Sequence, residues 1–183
     1  DFQGSIFEGC YFVDMADSSV INYTSTPYSR FINCVVNGES LQTYNATTVT
    51  NCMFYEGATG LQAINRATPV NNNRFYGQTT QCCFVGLSSR GVNVVNNIFV
   101  PAVGASDYAI NLDAGTITGG YNLAYAKDGA ITTPFVNNSV EFFLPHTVEE
   151  DPLFVNPLTG DFRLQKNSPA FRQRRCTSPA KWR

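Results

Sequence analysis

The sequence predicts an all-β fold, a parallel β-helix of about six coils followed by a closing segment and a basic tail. Three observations predict it: a repeat, the residue types that fill it, and the short strand-like runs between its copies. The repeat blocks are Phe7-Glu8-Gly9-Cys10-Tyr11-Phe12, Phe31-Ile32-Asn33-Cys34-Val35-Val36, Val49-Thr50-Asn51-Cys52-Met53-Phe54, Val70-Asn71-Asn72-Asn73-Arg74-Phe75 and Val94-Val95-Asn96-Asn97-Ile98-Phe99. Each has an apolar residue, then Cys or Asn three positions later, then an apolar residue two further on. A degraded sixth copy surrounds Tyr121-Asn122-Leu123. The markers Cys10, Cys34, Cys52, Asn73, Asn97 and Asn122 are separated by 24, 18, 21, 24 and 25 residues. A period of about 20 to 25 residues means a solenoid, in which one coil cannot bury its apolar face alone and must stack on the next.

Composition selects the kind of solenoid. Helical repeats need longer periods and helix formers, whereas Asn, Thr, Gly, Val and Phe dominate these blocks. Leucine-rich repeats need regularly spaced Leu, which is absent. Between the blocks lie further strand candidates at Leu41–Tyr44, Gly60–Ile64, Gln81–Gly86 and Tyr108–Leu112, each bounded by Gly, Ser, Thr, Asn or Asp. Two or three short strands in a coil of about 22 residues suit a parallel β-helix.

Residues three apart in a straight strand point to opposite faces, yet both apolar positions of the repeat need the interior. A bend between them restores the phase. Gly9, Asn33, Asn51, Asn72 and Asn96 occupy that slot, and Gly and Asn tolerate the left-handed conformation a bend requires. The marker side chains then stack inside the bend, a Cys ladder (Cys10, Cys34, Cys52) continuing into an Asn ladder (Asn73, Asn97, Asn122). Stacked amides can satisfy one another along the axis, so the ladders read as structural.

The repeats resemble right-handed parallel β-helix proteins of the pectate-lyase-like superfamily. The segment Asp151-Pro152-Leu153-Phe154-Val155-Asn156-Pro157-Leu158-Thr159-Gly160-Asp161-Phe162-Arg163-Leu164 and its continuation to Ala170 resemble the closing segment of secreted bacterial β-helix surface proteins. The resemblance implies a right-handed coil, in keeping with the general crossover preference, and a chain that leaves the last coil, turns and adds a strand. The family holds lyases, hydrolases, adhesins and proteins without known activity, so the fold does not deliver a function.

The chain divides into coils over residues 1–145, the closing segment over 146–170 and the tail over 171–183, forming one structural domain that reads as a candidate fragment of a longer chain. It is 43% hydrophobic, with 14 Phe and 9 Tyr to fill the bore. Only 14% of residues are charged, against about a quarter in ordinary globular proteins, which leaves a surface of Asn, Thr, Ser, Gln and Gly. Such a surface suits contact with sugars or with other protein copies. Nothing in the sequence is long and apolar enough to insert in a membrane, no signal peptide precedes the first coil, and the acidic body disfavours nucleic acid. Asn22, Asn45 and Asn137 begin N-glycosylation acceptor patterns, which favour an extracellular or cell-surface location.

Two readings stand for the cysteines. Cys10, Cys34 and Cys52, stacked about 5 Å apart, are within disulfide reach or are buried thiols acting as small hydrophobes. Cys82 and Cys83, adjacent in a strand, should point to opposite faces, and one of them is a candidate partner for Cys176 in the tail. With no Cys-x-x-Cys pair and one histidine, no zinc site is expected, and no other metal or cofactor.

Charge is segregated along the chain. From Lys166 onward the sequence carries +6, leaving −8 on the residues before it. The acidic start (Asp1, Glu8, Asp14, Asp17) and the basic tail (Arg172, Arg174, Arg175, Lys181, Arg183) are candidate contacts in head-to-tail stacking with other copies, a heterologous contact that propagates. A missing upstream domain covering the first coil is the other expected partner.

An active site is not evident. A lyase needs a carboxylate cluster with a basic proton acceptor, and a hydrolase needs paired carboxylates. Asp14 with Asp17, Asp107 with Asp113, and Lys127 with Asp128 are scattered among loops, and Glu149, Glu150 and Asp151 sit in the closing segment. His146 reads as an exposed loop residue, and Arg66, Arg74 and Arg90 as a candidate row for acidic sugars. The sequence therefore favours a non-enzymatic extracellular module with a structural, self-assembly or adhesion role. A polysaccharide lyase, a hydrolase or a glycan-binding module bearing a row of Tyr44, Tyr55 and Tyr76 is the alternative.

Overall fold

The structure, a computed structural model, describes residues 4–13, 21–22, 29–38, 40–44, 47–64, 68–86, 91–102, 108–113, 116–125, 135–137, 140–141 and 144–173. Strands come in successive triplets. The first holds β1 (Ile6–Glu8), β2 (Tyr11–Val13) and β3 (Ile21–Asn22), and the second β4 (Arg30–Ile32), β5 (Val35–Asn37) and β6 (Leu41–Tyr44). Next are β7 (Thr48–Thr50), β8 (Met53–Tyr55) and β9 (Thr59–Ile64), then β10 (Pro69–Asn71), β11 (Arg74–Tyr76) and β12 (Gln81–Val85). The last two hold β13 (Val92–Val95), β14 (Ile98–Val100) and β15 (Tyr108–Leu112), then β16 (Ile117–Gly120), β17 (Leu123–Ala124) and β18 (Phe135–Asn137).

Corresponding members of the triplets pair in parallel to give two six-stranded sheets, and a third that reaches seven strands when antiparallel β19 (Val140–Glu141) joins its end. The molecule is an all-β parallel solenoid. Parallel neighbours need a long crossover, and here each crossover is the rest of the coil.

Inside, equivalent positions stack. The first sheet contributes Phe7, Phe31, Val49, Val70 and Val94, and the second Phe12, Val36, Phe54, Phe75 and Phe99. The third contributes Leu41, Leu61, Cys83, Ile110 and Phe135. Phe75 lies between Phe54 and Phe99 with ring centroids 4.7 and 5.0 Å away and planes within 7° and 18° of parallel. Phe31, Phe54, Phe75, Phe99 and Phe135 are all essentially closed to solvent, each burial stabilising by about 2–3 kcal/mol.

The coil turns between the first and second sheets where the sequence places Gly9, Asn33, Asn51, Asn72 and Asn96, with φ of 64°, 56°, 58°, 59° and 57°. One left-handed residue at this turn of each coil lets both apolar positions of the repeat face inward. Tyr121 takes the slot in the last repeat, with φ 56°. A tyrosine is costly there, and its ring stacks on His146 at 4.5 Å. Gly119, two residues earlier, has φ 136°, and a Cβ on it would collide with the Val94 carbonyl.

The two ends differ. At the far end, residues 144–148 run along the last repeat: Tyr121 N–H donates to Pro145 O at 3.0 Å, Val148 N–H to Asn122 O at 2.9 Å, and Ala124 N–H to Val148 O at 2.9 Å. At the near end, β1 and β2 are edge strands, and Phe7 and Phe12 are only half-buried. Beyond the cap, β20 (Phe154–Asn156) and β21 (Asp161–Leu164) form an antiparallel hairpin through a 3-10 turn at Pro157–Thr159, followed by the short helix α1 (Ala170–Gln173).

Candidate functional site

The marker residues form one internal column. Asn97 Oδ1 accepts from Asn73 N–H at 2.9 Å and from Asn73 Nδ2 at 3.1 Å, and Asn122 Oδ1 does the same for Asn97 at 3.0 and 3.1 Å. Each amide nitrogen also donates to a carbonyl of the preceding coil: Asn73 to Val49 O, Asn97 to Val70 O, Asn122 to Val94 O. The column passes into sulfur at Cys52, whose N–H donates to Asn73 Oδ1 at 2.8 Å and whose thiol donates to Phe31 O at 3.5 Å. Cys34 repeats the arrangement on Phe7 O at 3.4 Å.

No disulfide joins any two of the described cysteines, and Cys10, Cys34, Cys52 and Cys83 are free thiols. Of the two readings of this ladder, the structure has the thiol one, with the Cys34 and Cys52 thiols bonded to backbone carbonyls. Burial pushes the Cys52 and Cys83 thiols up to about 12 and raises Cys34 in the same direction. Cys82 and Cys83 do not divide between inside and outside as strand alternation predicts; both are buried. Cys83 is fully buried in register with Leu61 and Ile110. Cys176 lies outside the described residues.

The other sequence candidates scatter. Glu8 is exposed on β1, while Asp1, Asp14, Asp17, Arg174, Arg175, Lys181 and Arg183 lie outside the described residues. Arg172 pairs within its own chain, its guanidinium 3.3 Å from Glu150 on an exposed surface. Asn22 and Asn137 fall in β3 and β18, and Asn45 lies outside the described residues. Arg74 is half-buried beside the stacked Asn51, Asn72 and Asn96, whereas Arg66, Arg90, Asp107, Lys127 and Asp128 lie outside. Glu149 and Glu150 are exposed, as is His146. Among the described residues no group of three His, Cys, Asp or Glu is placed to hold a metal ion, and no helix is long and apolar enough to cross a membrane.

Two surfaces stand out instead. The first is the near edge. Ser5 O accepts from Arg30 N–H and Gly9 N–H donates to Ile32 O, so strand alternation turns the backbone groups of Ile6 and Glu8 away from β4. Ile6 and Tyr11 are 59% and 57% exposed and Val13 40%. This is a strand edge rimmed with apolar side chains, ready to template another strand.

The second is the outer face of the second sheet, where the closing hairpin lies. Phe162 sits 5.5 Å from Tyr55 and 5.3 Å from Tyr76, and Phe154 meets Tyr76 edge-on at 6.1 Å. Tyr55 and Tyr76 are thus half-covered by the hairpin and do not form an open row; of Tyr44 only the strand is described. The Tyr55 hydroxyl bonds to that of Tyr11 at 2.6 Å, and desolvation together with this partner lifts it to about 12. Beside the hairpin a pocket of about 260 Å³ opens between Tyr76 and Tyr125 on the sheet and Asp151, Phe154 and Gln165 on the closing segment. The alternation of apolar Phe162 and Leu164 with charged Arg163 is the sign in the sequence that the segment has an inner face, whereas Phe154 and Val155 are both apolar and only the structure separates them, the first buried and the second exposed.

No protein-family model, no curated protein and no solved structure matches this chain.

Proposed function

We propose that this chain is a non-enzymatic structural module of a cell surface or extracellular assembly, a rigid solenoid whose near edge stacks on another protein coil. In this reading it is a secreted right-handed β-helix of the pectate-lyase-like type, and the segment from Asp151 onward is its closing element. One observation carries the proposal: the internal columns run undiminished to the first coil and end there half-exposed, with Phe7 stacked on Phe31 at 4.8 Å. A further coil, from a second copy or from an upstream part of a longer chain, would continue the phenylalanine stack and the strand ladder. The far end carries the 144–148 cap and Arg172 is engaged by Glu150, so the apolar edge, more than the charge-complementary ends, supplies the association.

The test is a substitution that removes the open-side donor while keeping the coil. Ile6→Pro deletes an N–H that points away from β4, which an edge strand tolerates. Chemical cross-linking of the full chain should give dimers or higher species, and Ile6→Pro should reduce them at unchanged melting temperature. Cross-linking equal in both proteins contradicts the proposal.

A further inference from the structure

We propose that the pocket between the second sheet and the closing hairpin binds a small organic ammonium group, with Tyr76, Tyr125 and Phe154 as aromatic walls and Asp151 as counter-charge. The idea stands on pocket geometry and is independent of the stacking edge. The volume is about 260 Å³, just below the range of about 300–1,000 Å³ typical for drug-sized ligands, which suits a head group and a short stem. Three aromatic residues line it, and the faces of such rings attract cations.

Among the described residues that line the pocket, the only charged one is acidic. Asp151 Oδ1 accepts the Leu153 N–H at 2.8 Å, which fixes the carboxylate at the rim. Gln165 closes the other side, its Nε2 donating to Phe154 O at 3.1 Å and its N–H to Leu153 O at 2.9 Å. The walls are therefore held before any ligand arrives, which lowers the ordering cost of binding. The shared chemistry is an ammonium. It comes either from a free quaternary amine of the choline type or from the primary amine of a lysine side chain.

Calorimetric titration of the full chain separates these. The probes are choline, Nα-acetyl-lysine amide, the neutral choline isostere 3,3-dimethylbutan-1-ol, and glucose. Saturable binding of choline or of the lysine derivative is expected, about tenfold or more tighter than the neutral isostere. The tighter of the two names the source. Asp151→Asn keeps the acceptor for the Leu153 N–H and should fold unchanged, while weakening ammonium binding about tenfold. Tyr125→Leu, which preserves an apolar outer face, should weaken it as well. Equal binding of the neutral isostere or of glucose, unchanged affinity in Asp151→Asn, or no saturable binding of either ammonium up to about 10 mM overturns the proposal.

Discussion

Asn97 Oδ1 lies 2.9 Å from the backbone nitrogen of Asn73 and 3.1 Å from its side-chain nitrogen, so one oxygen serves two donors of the neighbouring coil. The side chain is closed to solvent, and its own nitrogen bonds to Val70 O at 2.8 Å. Removing it strands buried donors and an acceptor at once. Asn97→Ala should therefore cost about 3 kcal/mol, more than a single surface hydrogen bond. Urea unfolding monitored by circular dichroism measures it; a loss under about 1 kcal/mol would mean water replaces the amide.

Cys52 occupies the next rung, already donating its N–H to Asn73 Oδ1 and its thiol to Phe31 O. An asparagine there would place its nitrogen on Phe31 O, as Asn97 places its own on Val70 O. Cys52→Asn should stay within about 1 kcal/mol of the parent or gain stability, whereas Cys52→Leu overpacks the bend and loses about 1–3 kcal/mol. Matched urea midpoints for the two variants would contradict the ladder logic.

The buried thiols give a pH signature. Cys52 and Cys83 are raised from 9.0 to about 12 in the fold. Between those values the unfolded chain has lost protons that the folded chain keeps, so ν(unfolded) − ν(folded) is negative and stability falls as pH rises. The stabilisation is full below about pH 9 and declines by up to about 1.4 kcal/mol per pH unit for each thiol through pH 9–12. Replacing Cys83 by Ala should flatten that decline. In the same window iodoacetamide should modify half-exposed Cys10 well before Cys52 or Cys83, as mass spectrometry of native protein would show.

Phe162 anchors the closing hairpin on Tyr55 and Tyr76. Phe162→Ala should release the hairpin and cost about 3 kcal/mol. Hydrogen exchange should then quicken at Phe154–Asn156 and Asp161–Leu164 while Phe75 and Phe99 in the core stay protected. Uniform loss of protection would show instead that hairpin and coils unfold as one unit.

The parts of the fold that were legible in the sequence are those with a period. Asn33, Asn51, Asn72 and Asn96 recur at coil spacing, and a parity argument on their neighbours was enough to expect a left-handed bend and the column behind it. The strand candidates Leu41–Tyr44 and Tyr108–Leu112 match β6 and β15 because turn residues bound them. What was not legible arises once and at long range. Tyr76 and Phe162 are 86 positions apart, and no repeat connects them. Alternation does not account for Cys82 and Cys83, which are adjacent and both buried in the core. Arg172, a candidate assembly contact by its charge, also lies 3.3 Å from Glu150, a pairing that no repeat in the sequence marks.

The central claim is that the near edge of the solenoid is an apolar stacking surface. It is tested most directly by light scattering combined with negative-stain electron microscopy of the full chain at low and high salt. An apolar edge predicts masses above the 20.1 kDa monomer and particles joined end to end at both ionic strengths, since salt screens charges without weakening hydrophobic contact. Ile6→Pro should return them to isolated short rods. Monomers at high concentration in both buffers would contradict the account, and association that vanishes at high salt would transfer it to the acidic start and basic tail.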